Sequence, residues 1–332
     1  MNAPVVLFTY SRAENTDAVL QSLSKNYIAE ETDVYAYICK PRDDKIAPLV
    51  QATKNILLKY STGHSFKSFN IIENDKWIPL GPGLVDAVTE TLEKYDKVIV
   101  VEDDLITSVD FLTFMNDALD YYENENSIFS ISGYSFGADF IKKLNDPVYF
   151  VRRNNPWGWA TWKNRWAEYK WIPTDYLDYT HDRKFRKTMK LWAKDLPMLM
   201  DALFMERDRP DKDWEQQFRY AQCINNAYTV CPKISKVKNI GFTGMRTNES
   251  PVGLEEYFEP GESHYSFTSV KIDDNFQRKY NNKFIFGFRH RFMLMISESV
   301  YRISPALYYR FLKLYYKSDK SKIGRASCRE RV

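Results

Sequence analysis

Residues Lys97 to Leu105 read KVIVVEDDL: four β-branched apolar residues, Val98-Ile99-Val100-Val101, end abruptly at three carboxylates, Glu102-Asp103-Asp104. A short, wholly apolar run bounded by polar residues predicts a strand buried on both faces. The stretch beyond it, Val109 to Tyr122, has helical spacing, so a strand, a turn and a helix are in place. Working back toward the N-terminus, the same alternation recurs. Val5 to Phe8 is a strand, and Ala13 to Lys25 follows as a helix with Ala18, Val19 and Leu23 on one face. Val34 to Ile38 and Phe69 to Ile72 read as strands, Ile46 to Tyr60 and Gly83 to Tyr95 as helices. Strands alternating with helices predict an α/β fold with a mostly parallel sheet and helices on both sides.

Toward the C-terminus, Ile128 to Ile131, Val148 to Val151 and Tyr228 to Cys231 read as strands, and the stretches around Lys184 to Arg207 and Trp214 to Asn225 as helices. This half is rich in aromatics, most densely in Asn155-Pro156-Trp157-Gly158-Trp159-Ala160-Thr161-Trp162. No flexible linker separates the halves. We expect one catalytic unit over residues 1–250, with a nucleotide-binding half (1–105), an acceptor half (106–250) and a cleft across them. A helical C-terminal extension over 251–320 follows. Its stretch Phe284 to Lys317 mixes Arg289, Arg291, Arg302, Arg310 and Lys313 with Phe, Tyr, Met and Leu. That composition suits either a membrane-surface segment or a helix packed on the domain. Residues 323–332 break in composition and read as a non-native tail, which removes Cys328 from the chemistry.

Ligands of open α/β sheets bind beyond the carboxyl ends of the strands. The polar residues there are Arg12 after the first strand, Lys40, Arg42 and Asp43 after the second, Asn74 and Asp75 after the third, and the acidic turn after the fourth. Three adjacent carboxylates repel one another, and a cation relieves the repulsion. Mg²⁺ and Mn²⁺ take oxygen ligands, typically one or two carboxylates together with substrate phosphates. The alternative for Glu102-Asp103-Asp104 is a solvated turn capping the helix that opens near Ser108 and Val109.

The run VVEDDLITSVDFLTFM resembles the EDD-containing segment of GT-A glycosyltransferases, in particular eukaryotic N-acetylglucosaminyltransferase I and its bacterial relatives. PVVLFTYSR is similar to that family's first strand and its Arg-bearing turn, NNPWGWATWKNRW to its Gly-Trp segment, KDWEQQFRY to the segment bearing the catalytic aspartate, and PKISKVKNIGFTG to the strand and loop beyond. The resemblance spans roughly residues 4 to 248 and implies the GT-A fold and a metal-dependent inverting transfer. A nucleotide-diphosphate sugar, with a UDP-sugar expected, would give a hexosyl or N-acetylhexosaminyl group to a glycan or lipid-linked acceptor. Asp104 would hold Mn²⁺ or Mg²⁺. Arg12, Glu102, Asp103, Trp157, Gly158 and Trp159 would meet the donor, and Asp213, with Asp211 as the alternative, would take the acceptor's proton. Asp43 stands shifted from where relatives place a base-reading aspartate, and Met245-Arg246-Thr247-Asn248 replaces a loop that often ends in His.

Composition narrows the rest. Aromatics make up 16% of the chain, including eight Trp and 23 Tyr, and aromatic faces grip sugar rings as readily as they fill cores. Trp157, Trp159 and Trp162 therefore read either as sugar platforms or as a buried cluster around Gly158. With 47 basic and 44 acidic residues the net charge of +3 demands no nucleic acid. Cys39, Cys223 and Cys231 form no CxxC pair, which fits a reducing compartment. With no signal-type N-terminus and no run of membrane-spanning length, the expectation is a cytoplasmic protein, either free or peripheral on the inner face of the plasma membrane, and the resemblance implies a role in bacterial polysaccharide synthesis. The four His and the lack of a G-x-S-x-G elbow argue against hydrolase triads. A sugar nucleotidyltransferase would want a Gly-rich loop where Ser11-Arg12-Ala13-Glu14 stands. A non-catalytic carbohydrate-binding relative is the remaining alternative.

Overall fold

The structure is a computed structural model and describes residues 1–170, 182–194, 196–197, 200–201, 214–241 and 257–284. Between 292 and 312 it describes residues 292, 295–296, 299–301, 303–304, 306–308 and 310–312. The α/β architecture expected from the alternation is present. Strands β1 (Val5–Thr9), β2 (Asp33–Cys39), β3 (Ser68–Asn74) and β4 (Lys97–Glu102) alternate with helices α1 (Ala13–Leu23), α2 (Ala47–Ser61) and α3 (Leu80–Lys94). All five residues of β1 are buried, as its unbroken apolar sequence requires of a strand covered on both faces. It pairs in parallel with β2 on one side and β4 on the other, bringing Thr9 opposite Ile38 and Phe8 opposite Glu102. The loops after β1, β2 and β4 therefore leave the sheet at one edge.

After β4 the chain makes a short strand β5 (Leu105–Thr107), then helix α4 (Phe111–Tyr121), β6 (Ile128–Ser132), the one-turn α5 (Asp139–Lys142), β7 (Val148–Val151), β8 (Trp159–Trp162) and α6 (Lys163–Trp166). Helices α7 (Arg183–Trp192) and α8 (Trp214–Ile224), strands β9 (Tyr228–Pro232) and β10 (Val237–Asn239), and helix α9 (Asp274–Lys283) follow. The main sheet has the order β3-β2-β1-β4-β8-β6-β9-β7, and β5 with β10 forms a separate two-stranded ladder. Strand β8 has no counterpart in the periodicity. It lies antiparallel between β4 and β6, with Val100 opposite Trp159 and Lys97 opposite Trp162.

One face of the sheet packs on α1, α2 and α4 through Val5, Leu7, Val19, Leu20, Val101, Phe111 and Leu112. The other packs on α3 and α8 through Val6, Val98, Val100, Leu84, Val88, Trp159 and Phe218. Residues 214–223 of α8 are buried all round, and its one arginine is engaged by neighbouring side chains. Arg219 bonds Glu215, Gln216 at 2.8 Å and Asn154 at 3.1 Å.

Candidate functional site

The acidic turn lies at the shared edge of β1 and β4, and its partner comes from the neighbouring loop. Arg12 immediately precedes α1. Its carbonyl accepts both the backbone N–H and the hydroxyl of Thr16, each at 2.9 Å, which fixes the residue at the helix entrance. The guanidinium reaches across to the two aspartates, Nη2 to Asp103 at 2.7 Å and Nη1 to Asp104 at 3.1 Å. Both carboxylates are nearly fully buried, whereas the Arg12 side chain remains 23% exposed and is open to solvent on one side. Burial alone would lower the pKa of Arg12, but Asp103, Asp104 and Glu102 outweigh it and hold the guanidinium more firmly charged. Burial pushes the Asp103 carboxyl up to about 7; Arg12 and a backbone hydrogen bond from Tyr10 pull it down, and Asp104 adds to the rise.

The turn is held from the far side by the β5–β10 ladder, in which Asn239 faces Leu105 and Val237 faces Thr107. The Ile240 N–H donates to the Asp104 carbonyl at 2.8 Å. Gly241 then passes so close that a Cβ there would lie 2.2 Å from Asp104 Oδ2 and 3.1 Å from Arg12 Nη1. Here the absence of a side chain is a packing requirement. The capping alternative for the acidic turn is not what the structure shows. Strand β5 separates the turn from α4, and Asp110, which precedes that helix, is itself buried against Lys236 and accepts from Ser108 Oγ at 2.6 Å and Ser263 N at 3.0 Å.

The other sequence candidates divide. Asp43 is exposed on the loop after β2, at the same sheet edge, tied to the first loop by the Arg42 N–H donating to the Tyr10 hydroxyl at 2.8 Å. Its Oδ1 accepts from the backbone N–H groups of Lys45 and Ile46 at 3.1 and 3.2 Å, so it organises the turn into α2. Gly158, at φ +58°, lies against the same ladder that holds the acidic turn: a Cβ there would meet Val237 Cγ1 at 2.8 Å. Trp157 beside it is half-buried, edge-on to Tyr134 with ring centroids 4.6 Å apart. Trp159 and Trp162 are each 2% exposed. Trp159 stacks on Trp214 at 5.1 Å and packs on Phe218, while the Trp162 indole N–H donates to the Leu119 carbonyl at 3.1 Å. Both rings pack as a buried cluster, the alternative that the sequence left open beside a sugar platform. Asp211, Asp213 and Arg246 lie outside the described residues.

Among the described residues no group of three or more His, Cys, Asp or Glu side chains converges as a metal site. The donor set nevertheless fits Mg²⁺ or Mn²⁺ held partly by substrate. Asp103 and Asp104 offer hard oxygens already turned toward one cationic group, the arrangement of one or two carboxylates plus phosphate that these ions favour. Gly241 leaves the backbone close without crowding Asp104 further. Sequence reasoning missed Gly241 as a site residue. The only signal was a glycine two residues beyond a short strand.

No protein-family model matches the chain, and no curated protein matches it in sequence. Solved structures resemble it in part. Residues 1–349 of TarS from S. aureus align at 14% identity and a TM-score of 0.41, covering 73% of this chain and 61% of that one. A cytidylyltransferase from Leptospira borgpetersenii aligns at 10% identity and 0.32, covering 51% and 63%. Glucosyl-3-phosphoglycerate synthase from Mycobacterium tuberculosis, solved with Mn²⁺, UDP and phosphoglyceric acid, aligns at 14% and 0.31, covering 49% and 56%. The chain thus spans under two thirds of each of these three, and none of them singles out N-acetylglucosaminyltransferase I. At such overlaps the functional reading rests on the geometry around Arg12.

Proposed function

We propose that the chain is a GT-A-type, metal-dependent glycosyltransferase that moves a hexosyl or N-acetylhexosaminyl group from a nucleoside-diphosphate donor to a hydroxyl of a glycan or lipid-linked acceptor, with inversion. The observation that carries this reading is the Arg12 guanidinium seated between two buried aspartates at the carboxyl edge of the parallel strands. In an open α/β sheet that edge is where ligands bind.

Arg12, with one side open to solvent, binds the diphosphate and stabilises the charge that develops on it as the glycosidic bond breaks. Asp104 would hold Mn²⁺ or Mg²⁺, which supplies further positive charge against the leaving diphosphate. Asp103 and Glu102 orient the ribose and sugar side of the donor, and Trp157 with Gly158 borders the sugar. Asp213, or Asp211 beside it, accepts the acceptor's hydroxyl proton as that oxygen bonds to the anomeric carbon. The nucleoside diphosphate leaves from the opposite face, so no covalent enzyme intermediate forms. Positioning two substrates in line and stabilising leaving-group charge are the two rate-enhancing terms.

A panel of nucleotide sugars, first screened by thermal shift with Mn²⁺ and then assayed for turnover with and without the ion, tests the reading. Asp104→Ala is expected to lose roughly 10²–10³-fold in metal-dependent turnover, with an unchanged circular dichroism spectrum. Asp213→Asn is expected to keep donor affinity and lose turnover. Full activity in either variant removes the role assigned to that residue. Donor binding by the parent protein without turnover of any donor would instead make the chain a carbohydrate-binding relative.

A further inference from the structure

The C-terminal stretch reads, in sequence, as either a packed helix or a membrane-surface segment; the described residues show two sets of side chains with different fates. Tyr301, Tyr308 and Leu312 are buried. The Tyr308 hydroxyl donates to Asp201 at 2.6 Å, Arg186 donates to the same carboxylate at 3.0 and 3.2 Å, and the Arg186 guanidinium lies 3.8 Å from the centre of the Tyr301 ring. Removing one member of a buried charge pair is costly, so this contact fixes which way the segment is turned. Ser304 joins two helical stretches: its N–H donates to the Val300 carbonyl at 2.9 Å, its carbonyl accepts from the Tyr308 N–H at 3.0 Å, and its hydroxyl accepts from the Leu307 N–H at 3.3 Å, the contact of a helix N-cap.

On the same segment Met295, Ser299 and Ile303, four residues apart, are exposed before Ser304, and Leu307 is exposed after it. Met295 is 60% exposed, Ile303 81% and Leu307 53%. The Ser299 hydroxyl donates to the Met295 carbonyl at 3.0 Å, which satisfies the one polar side chain of the four. Elsewhere among the described residues exposed large apolar side chains are scattered, as Tyr27, Trp77 and Tyr121 are, or stand nine residues apart, as Leu49 and Leu58 do on α2. Isolated ones are ordinary on a protein surface, whereas several along one short segment mark an interaction site. Charge identifies the occupant. Residues 284–317 contain Arg289, Arg291, Arg302, Arg310, Lys313 and Lys317 against the single acid Glu298. Arg310 is exposed. Two copies of a segment with this basic excess in its sequence would repel each other, while an anionic lipid surface complements both that excess and the exposed apolar side chains.

We propose that the segment exposing Met295, Ile303 and Leu307 docks the protein on an anionic membrane surface, held in place by the Arg186–Asp201–Tyr308 contact. This is independent of the transferase reading. It requires no spanning segment, and no helix among the described residues is long and apolar enough to cross a membrane.

Co-sedimentation of the full chain with phosphatidylcholine vesicles, with and without phosphatidylglycerol, tests the proposal. The protein is expected to sediment only with the anionic vesicles, and less as salt rises. The double variant Ile303→Glu/Leu307→Glu should lower partitioning by roughly tenfold or more, while its thermal melt and nucleotide-sugar binding match the parent. Arg310→Glu, which leaves the apolar side chains intact, should weaken sedimentation to a smaller degree and keeps the test decisive if the double variant misfolds. Absence of sedimentation with anionic vesicles, or wild-type sedimentation by a folded double variant, overturns the proposal. So does light scattering that shows a dimer lost in the double variant with no lipid binding by the parent, which would give the segment to a second copy of the chain.

Discussion

The sheet on one side of β4 and the sheet on the other are built from the same kind of apolar strand and end up with different tasks. On the first side β1, β2 and β3 all run parallel with β4. Their loops therefore emerge together, and Arg12, Asp43 and the acidic turn gather at one edge. On the second side three of the four pairings are antiparallel, beginning with β8 against β4. Strand direction there no longer collects loops at one edge, and the aromatics of β8 enter the core. Trp157, outside any strand, stays half-buried, whereas Trp159 and Trp162, on a strand covered on both faces, are buried.

Trp159→Ala is the substitution that most severely tests this division. It removes a large ring that stacks on Trp214 and packs on Phe218 and Trp166. The expected cost is about 3–5 kcal/mol of stability, read from urea denaturation, with donor affinity unchanged at temperatures where the variant is folded. A stable variant that had lost donor affinity would return Trp159 to the site and break the comparison. On the parallel side the sharper test is Gly241→Ala. The new methyl would collide with Asp104 Oδ2 and crowd Arg12, so the ion pair must open or the strand withdraw. A loss of about 1–3 kcal/mol is expected, accompanied by weaker nucleotide-sugar binding. Gly261→Ala, where a Cβ would meet nothing within 4 Å, is the matched control and should leave both unchanged.

Most of the parallel half was legible because its strands are apolar on both faces and its helices carry a 3.6-residue stripe, two patterns that need no knowledge of partners. That the residues after β1 and β4 share one edge followed from them, since parallel strands in register bring those loops together, but the direct Arg12–Asp103–Asp104 ion pair was not among the expectations. Strand β8 was not legible. Trp159-Ala160-Thr161-Trp162 alternates only weakly, and what makes it a strand is its insertion between β4 and β6, a long-range pairing that local periodicity cannot express. The β5–β10 ladder was hidden for the same reason. It joins Leu105–Thr107 to Val237–Asn239, more than a hundred residues apart, and each strand has three residues. Gly241 acquires its role only once that ladder exists. At the C-terminus composition alone left two readings open, and burial of Tyr301 and Tyr308 beside exposed Ile303 shows that they belong to different side chains of the same segment.

Asp43→Ala carries the smallest expected effect and draws the boundary of the site. Sequence position placed this carboxylate among the donor contacts, but both of its oxygens are engaged within the loop, Oδ2 with Arg42 at 3.3 Å and Oδ1 with the two backbone N–H groups that open the way into α2. A side-chain acceptor for backbone donors near a helix entrance contributes about 1 kcal/mol, and the exposed pair with Arg42 adds little. The variant should therefore lose about 1 kcal/mol in denaturant unfolding and bind donor as the parent does. If donor affinity fell while stability held, Asp43 would be contacting the nucleotide despite its engagement in the turn. The site would then extend across the loops of β1, β2 and β4 together, since the Arg42 N–H to Tyr10 hydroxyl bond already couples the first two.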